Sequence, residues 1–168
     1  AGHVGGAAAN KAISHHEHAL AGRAAEKVVV LTPKGEVAFE QEGDVHGTDL
    51  SENQRAMVAG NILTHNHPGG TALSLGDVAR HNNAAEIRAV SRTPEGKVVA
   101  YSVRKPEGGW PSASTIEAAH GEAHAAILER MREQPETIPA FATKAAARQW
   151  LSHETWKSAA KNLGIAYN

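Results

Sequence analysis

The chain has 168 residues, of which 41% are hydrophobic and 21% are charged, and its formal net charge is −1. This composition is typical of a globular protein with one core, and without a basic surplus it gives no support to electrostatic binding of nucleic acid. The absence of cysteine excludes disulfides and thiolate metal ligands, so histidine and carboxylate side chains are the candidate ligands for a transition metal.

No stretch is apolar over the roughly 18 residues that a membrane span requires, and no signal peptide is recognisable. We therefore expect a cytoplasmic protein that has no membrane partner and no nucleic-acid partner. A phage particle or a secreted parent protein stays an open alternative. Because the sequence begins with Ala1 and not with methionine, it is also open whether the chain is part of a larger polypeptide.

The N-terminal part predicts a helical segment over residues 1–25, in which Gly- and Ala-rich residues 1–10 lead into a helix over 11–25. A valine-rich strand over 26–31, a turn with Pro and Gly, and a returning strand over 36–40 then predict a β-hairpin. A capping box formed by Ser51 and Gln54 predicts a short helix that ends near residue 59. That helix leads into the strand that carries the candidate metal-binding motif.

The next strand, at residues 61–67, ends with two histidines at alternate positions. A β-strand directs alternate side chains to one face, so His65 and His67 point the same way. Pro68 and two glycines break the strand, and the chain then reaches Asp77, whose carboxylate can supply a third ligand. Two imidazoles and one carboxylate leave a coordination position open, which is the pattern of catalytic zinc. We predict that His65, His67 and Asp77 bind Zn²⁺.

Ser74 and Asp77 also match the start of a helix, where a hydroxyl and a carboxylate three residues later satisfy free backbone amides. Capping and metal binding are compatible, so both functions are predicted for this pair. The pattern beyond Asp77 predicts a helix to about residue 85 and a second hairpin over 86–92 and 97–105.

Residues 108–111 interrupt this pattern, and two C-terminal helices are predicted after them. The first begins near residue 114, and the second runs from about residue 143 to Gly164, with a proline-containing linker over 134–140. His120 and His124 lie one turn apart on the first of these helices. Since no third ligand is evident for them, we interpret both as surface residues.

The histidine motif resembles that of the JAMM (JAB/MPN+) zinc metalloprotease family, which has an upstream Glu, His-x-His-Pro and Ser-x-x-Asp. The matching residues are His65, His67, Pro68, Ser74 and Asp77. The segment Thr-His-Asn-His-Pro-Gly-Gly is most similar to the corresponding segment of bacterial or phage members, including RadC-like proteins. The loop between His67 and Asp77 is one residue shorter than the family pattern. The resemblance covers residues 26 to about 105.

The resemblance implies an α/β fold with a mixed β-sheet flanked by helices, of the JAMM/MPN and cytidine-deaminase-like type, over residues 26–111. A C-terminal helical extension over 112–168 follows it. The resemblance also implies zinc-dependent hydrolysis of a peptide or isopeptide bond in a protein or peptide substrate, with Glu26 as general base and Ser74 as oxyanion stabiliser. Glu26 is assigned by its place before the valine-rich strand, and the alternatives are Glu17, Glu36 and Glu40.

Two other functions remain open. One is a non-catalytic MPN-like interaction module, against which the complete motif argues, and the other is a RadC-like role in nucleic-acid metabolism, against which the near-neutral charge argues. The contiguous letters His-Asn-His do not fit HNH nucleases, whose three named residues are spread over a ββα hairpin. A zinc deaminase requires a cysteine pair, which this chain lacks.

Overall fold

The computed structural model describes residues 5–168, and their central element is a five-stranded sheet with the strand order β2-β1-β3-β4-β5. The parallel pair is β3–β4, and the other neighbours are antiparallel. The strands are β1 (Lys27–Leu31), β2 (Val37–Glu42), β3 (Ile62–Asn66), β4 (Glu86–Arg92) and β5 (Val98–Arg104). Both predicted hairpins are therefore confirmed, as is the α/β class with a mixed sheet.

Helices cover both faces of this sheet in the described part of the chain. Their bounds are α1 (Gly6–Leu20), α2 (Glu52–Met57), α3 (Leu75–Arg80), α4 (Ala113–Glu133) and α5 (Lys144–Leu163), with a 3₁₀ turn at Pro135–Thr137. The predicted capping box of α2 is present, and α5 ends as predicted at Gly164, which has a left-handed φ of 68°. None of the helices in residues 5–168 is long and apolar enough to cross a membrane.

Two apolar cores lie on the opposite faces of the sheet because the strands alternate their side chains. On one face α1 buries Ala9, Ile13 and Leu20 against the strands. On the other face, α4 and α5 bury Ile116 and Trp156 in a core that also contains Leu63 of β3. The C-terminal helices thus share the core of the strands that carry the histidines.

Two helices have different bounds from those predicted. The sequence predicted a helix over 11–25, but α1 begins at Gly6 and ends at Leu20, and residues 1–4 lie outside the described residues. The helix ends early because the carbonyl groups of Arg23 and Ala25 accept hydrogen bonds from the Asn66 side chain on β3. The other helix, α3, was predicted to reach about residue 85 and ends at Arg80. Its shorter length allows the Ala85 N–H to bond the Asn61 carbonyl and begin the pairing of β4 with β3.

A buried network of charged side chains lies between α1 and the sheet. Glu17, which is 4% exposed, accepts hydrogen bonds at 2.5 and 3.2 Å from the guanidinium of Arg88 and one at 3.0 Å from the Thr64 hydroxyl. Arg88 also lies 3.3 Å from Glu86, whose other oxygen accepts from Arg104 at 2.9 Å. Because a buried charge is costly without a partner, these pairs fix the position of α1 over β3 and β4.

The outer edge of β5 is covered by the last residues of the sequence. The N–H and carbonyl groups of Ser102 and Asn168 form two reciprocal hydrogen bonds of 3.0 Å, and Arg104 donates to the Ala166 carbonyl. Val103 and Tyr167 form an antiparallel bridge. The segment after α5 therefore extends the sheet beside β5.

Replacing Glu17 by Ala removes the carboxylate that pairs with Arg88. We expect the free energy of unfolding to fall by about 3 kcal/mol, at the lower end for a broken buried pair because Glu86 still contacts Arg88. Urea denaturation followed by circular dichroism measures the change. The matched control is Glu40→Ala, which removes an exposed partner of Lys27 and should cost less than about 1 kcal/mol. Equal losses in the two variants would contradict a stabilising role for the network.

Candidate metal centre

The two histidines of the motif lie side by side at the end of β3. His65 is paired with Val28 of β1 on one side and with Ala89 of β4 on the other, so its ring is only 1% exposed. His67 lies just beyond the strand, and its N–H donates to the Val90 carbonyl, which continues the pairing with β4. The rings approach edge to face, with 2.9 Å between their Nε2 atoms. The prediction that both imidazoles point the same way is confirmed.

Asp77 completes a cluster of three ligand atoms, as predicted. Its Oδ2 lies 3.2 Å from the Nε2 of His65 and 3.2 Å from the Nε2 of His67. Within residues 5–168, this is the group of histidine and carboxylate side chains that converges closely enough to hold a metal ion. The loop is short by one residue compared with the JAMM pattern, yet it still brings the carboxylate to both rings.

The distances in the cluster fit a small tetrahedral cation. Ligand atoms about 2.0–2.1 Å from zinc in a tetrahedron are roughly 3.3 Å apart, so the observed separations of 2.9 to 3.2 Å need to widen by only a few tenths of an ångström. The ring of His67 is also oriented for this purpose. Its Nδ1 lies 3.1 Å from the Thr71 carbonyl, and a proton on Nδ1 that donates to this carbonyl leaves the lone pair of Nε2 for a ligand bond.

The electrostatics of the cluster reflect the close approach of one carboxylate to two imidazoles. Burial acts to raise the pKa of the Asp77 carboxyl, but the neighbouring His65 and His67 outweigh burial and hold that pKa well below its usual range. Burial acts to lower the pKa of His65, but Asp77 and, more weakly, Glu26 outweigh it and raise that pKa. A proton therefore competes with a metal ion for His65, and metal binding should release protons.

The capping box predicted at Ser74 and Asp77 is present and includes the carboxylate of the three-residue cluster. The Oγ of Ser74 accepts a hydrogen bond from the Asp77 N–H at 3.0 Å, and Oδ2 of Asp77 accepts one from the Ser74 N–H at 2.7 Å. Because this Oδ2 atom also faces both histidines, the start of α3 fixes the rotamer of the third ligand.

The loop between the ligands is held in place by α5. Gln149 donates to the Gly69 carbonyl at 3.1 Å, and the indole N–H of Trp156 donates to the Leu73 carbonyl. Gly70 has a left-handed φ of 74°, which favours glycine, and a Cβ atom there would also displace the end of the Gln149 side chain, 2.5 Å away. The C-terminal extension thus supports the site directly.

A cavity of about 290 Å³ opens over the cluster, and both Glu26 and Ser74 lie in its wall. The alternative glutamates lie elsewhere. Glu17 is buried on the opposite face of the sheet, while Glu36 and Glu40 are exposed on the first hairpin. Among the four glutamates considered from the sequence, only Glu26 is thus placed beside the ligand cluster.

Asn66, which lies between the two histidines in the sequence, holds the segment that carries Glu26. Its side chain points to the opposite face of β3 and is 1% exposed. Its Oδ1 accepts a hydrogen bond from the Lys27 N–H at 2.8 Å, and its Nδ2 donates to the carbonyls of Arg23 and Ala25 at 3.3 and 3.0 Å. These three bonds secure residues 23–27 against the histidine strand.

Four further polar residues of the cavity wall were not predicted as site residues: His46, Thr48, Arg80 and His81. The Oγ1 of Thr48 and the Nδ1 of His81 are buried polar atoms without a hydrogen-bond partner in the structure. Burial lowers the pKa of His81, although Asp77 acts in the opposite direction. The spacing of four residues between Asp77 and His81, about one helical turn, was the signal available in the sequence.

Comparisons with known proteins add no family assignment to this geometry. Models of protein families, curated proteins and solved structures were compared with the chain, and none of them matches it. A function is therefore inferred from the residues of the cavity and from their arrangement.

We expect about one zinc ion per chain, because the three ligand atoms converge at one place in the described residues. His67→Ala should abolish stoichiometric binding, since it leaves two protein ligands. Elemental analysis after gel filtration measures the content. His15→Ala, on the exposed side of α1, is the matched control and should retain the metal. Unchanged zinc in both His65→Ala and Asp77→Ala would show that the site is wrongly assigned.

Trp156→Phe keeps an aromatic ring in the core but removes the donor to the Leu73 carbonyl. We expect a zinc affinity about tenfold lower, because partners that orient ligands typically contribute that much or more. Competition with a chromophoric chelator measures it. Trp150→Phe is the control, since that ring is half exposed and packs against Phe141 and Arg130. Equal affinities in the two variants would contradict a role for Trp156 in holding the loop.

Proposed function

We propose that this chain is a zinc-dependent peptidase or isopeptidase of the JAMM type. The observation that carries the proposal is that one cavity contains two histidines and an aspartate suited to a metal, a glutamate suited to proton transfer, and a serine suited to donate a hydrogen bond. These are the five functional positions of the family motif. The central histidine strand within a mixed sheet flanked by helices also agrees with a JAMM fold.

Zinc is favoured over other cations by the donor set. Two imidazole nitrogens and one carboxylate oxygen are typical of catalytic zinc, whereas magnesium and calcium prefer oxygen ligands. Three protein ligands are available, and a closed structural site would use four. A zinc ion bound here would supply Lewis-acid chemistry that makes water nucleophilic near neutral pH and polarises a carbonyl group.

Glu26 is proposed as the general base and then the general acid. It stands in the cavity wall, and its backbone is fixed on both sides by the hydrogen bonds from its N–H to the Asp44 carbonyl and from the Gly43 N–H to its own carbonyl. Its carboxylate accepts a proton from the attacking water and delivers that proton to the leaving amine. A held backbone keeps this carboxylate near the reacting atoms through both steps.

Ser74 is proposed as the donor to the oxyanion that forms on the scissile carbonyl. Its Oγ already accepts a hydrogen bond from the Asp77 N–H, so the hydroxyl proton is free to point into the cavity. A donor that is positioned before the reaction stabilises the developing charge with little reorganisation.

Glu26→Gln should retain zinc and fold while losing turnover, because an amide can hydrogen-bond water but cannot accept its proton. We expect the rate of cleavage of a protein substrate to fall by about 10²- to 10⁴-fold. Single-turnover cleavage, followed by mass spectrometry with the zinc content measured in the same sample, tests this.

The control for this experiment is Glu40→Gln, which changes an exposed glutamate of β2 on the first hairpin. Its rate should stay close to that of the parent protein. A Glu26→Gln protein that cleaves as fast as this control would assign the proton transfer to another group and contradict the proposed mechanism.

A further inference from the structure

A second cavity lies next to the metal-binding cavity, on the other side of Ser74. Its volume is about 270 Å³, and Ser74 belongs to the walls of both cavities. One wall of the second cavity is formed by residues 71–75 of the loop between the ligands, and the opposite walls are formed by α4 and α5. The C-terminal helices that hold the loop therefore also enclose a space beside the proposed oxyanion donor.

The chemistry of this second cavity is mainly apolar. The aliphatic side chains in its wall are those of Ala72, Leu73, Leu75 and Leu151. The imidazoles of His120 and His124 add two nearly parallel rings, whose centroids are 6.3 Å apart. Burial, together with the neighbouring His124, lowers the pKa of His120, so this ring is a neutral aromatic surface near neutral pH. Arg148, which is exposed, is the lysine or arginine among the residues that line this cavity.

We propose that this cavity is a specificity subsite that binds a large apolar side chain of the substrate residue next to the scissile bond. The inference rests on the proposed peptide-bond hydrolysis and adds a substrate class to it. Consecutive Cα atoms of an extended peptide are 3.8 Å apart, so a carbonyl held at Ser74 places a neighbouring side chain within reach of the adjoining cavity. The volume is sufficient for a leucine, methionine or phenylalanine side chain, and the exposed Arg148 at the rim disfavours lysine and arginine.

Under this proposal His120 and His124 of α4 form part of the wall that contacts the substrate side chain. His120 and His124 were predicted to be surface residues, but both are half-buried and both line the cavity. His120 additionally packs against Trp156, with 5.0 Å between the ring centroids. Trp156 thereby connects the wall of the subsite to the loop that carries Ser74.

Binding without turnover gives the first test. N-acetylphenylalaninamide and N-acetylglycinamide are titrated into the zinc-loaded protein, and the methyl signals of Leu75 and Leu151 are followed by NMR. We expect saturable shifts with the phenylalanine compound and none with the glycine compound. Equal shifts with the two compounds, or shifts confined to other parts of the protein, would overturn the proposal.

A variant that fills the cavity sharpens this test. Ser152→Trp places an indole in the cavity wall and should abolish the shifts, and Arg148→Trp at the exposed rim is a second variant if the first does not fold. Asn162→Trp is the matched control, because Asn162 lies exposed on the same helix and outside this cavity. Loss of binding in the control as well would contradict a specific subsite.

Cleavage specificity gives the second test. Peptides that differ only in phenylalanine or glycine beside the cut site are compared, and we expect kcat/KM to favour phenylalanine by about tenfold or more. The preference should shrink in Ser152→Trp and persist in Asn162→Trp. A preference that is equal in both variants would overturn the subsite.

Failure of the subsite can be distinguished from failure of the proposed hydrolysis. Specific binding of N-acetylphenylalaninamide without cleavage of any peptide would support the subsite and contradict the hydrolytic function.

Discussion

The geometry of the site depends on the contacts that the Oδ2 atom of Asp77 makes. This atom accepts the hydrogen bond that caps the first turn of α3, and it lies at equal distances from the two imidazole nitrogens. Local helix chemistry thus determines where the carboxylate of this candidate metal ligand lies. The capping box at the start of α3 therefore fixes the position of this carboxylate beside the two rings.

The second constraint on the site comes from far along the chain. Trp156 and Gln149 bond carbonyl groups of the loop, while Glu17 pairs with Arg88 behind the histidine strand. The cluster is therefore supported on one face of the sheet by α5 and on the other by α1. Since ligands must be held within a fraction of an ångström to bind a metal well, such support from both layers is an expected requirement of the site.

Much of the site could be predicted from the sequence because its determinants are local. The alternation of a strand places His65 and His67 together, and the Ser74 cap identifies the start of α3. Glu26 was assigned by the resemblance of its place before the valine-rich strand, and the antiparallel pairing of β1 with β3 brings it to the same cavity as the histidines. The same local logic explains the correct prediction of both hairpins and of the C-terminal helices.

Contacts between distant residues could not be predicted in the same way. Glu17 lies among histidines in the sequence, which suggests a polar surface position. Its spacing from Ala9, Ile13 and Leu20 nevertheless places it on the buried face of α1. Its partner, Arg88, lies on a strand whose charged residues alternate with apolar ones. No local sequence pattern identifies Glu17 and Arg88 as partners. The contact between Trp156 and Leu73 could not be predicted for the same reason.

The pairing of the last residues with β5 has a consequence for how copies of this protein meet one another. A sheet edge with free backbone groups is a template on which another chain can polymerise. Residues 166–168 occupy that template beside β5. The opposite edge, β2, carries Glu40 and Glu42, which form ion pairs with Lys27 and Arg23, and charged side chains on an edge strand disfavour its pairing with another chain. Coverage of residues 102–104 thus limits self-association at one margin of the sheet, and charged side chains limit it at the other.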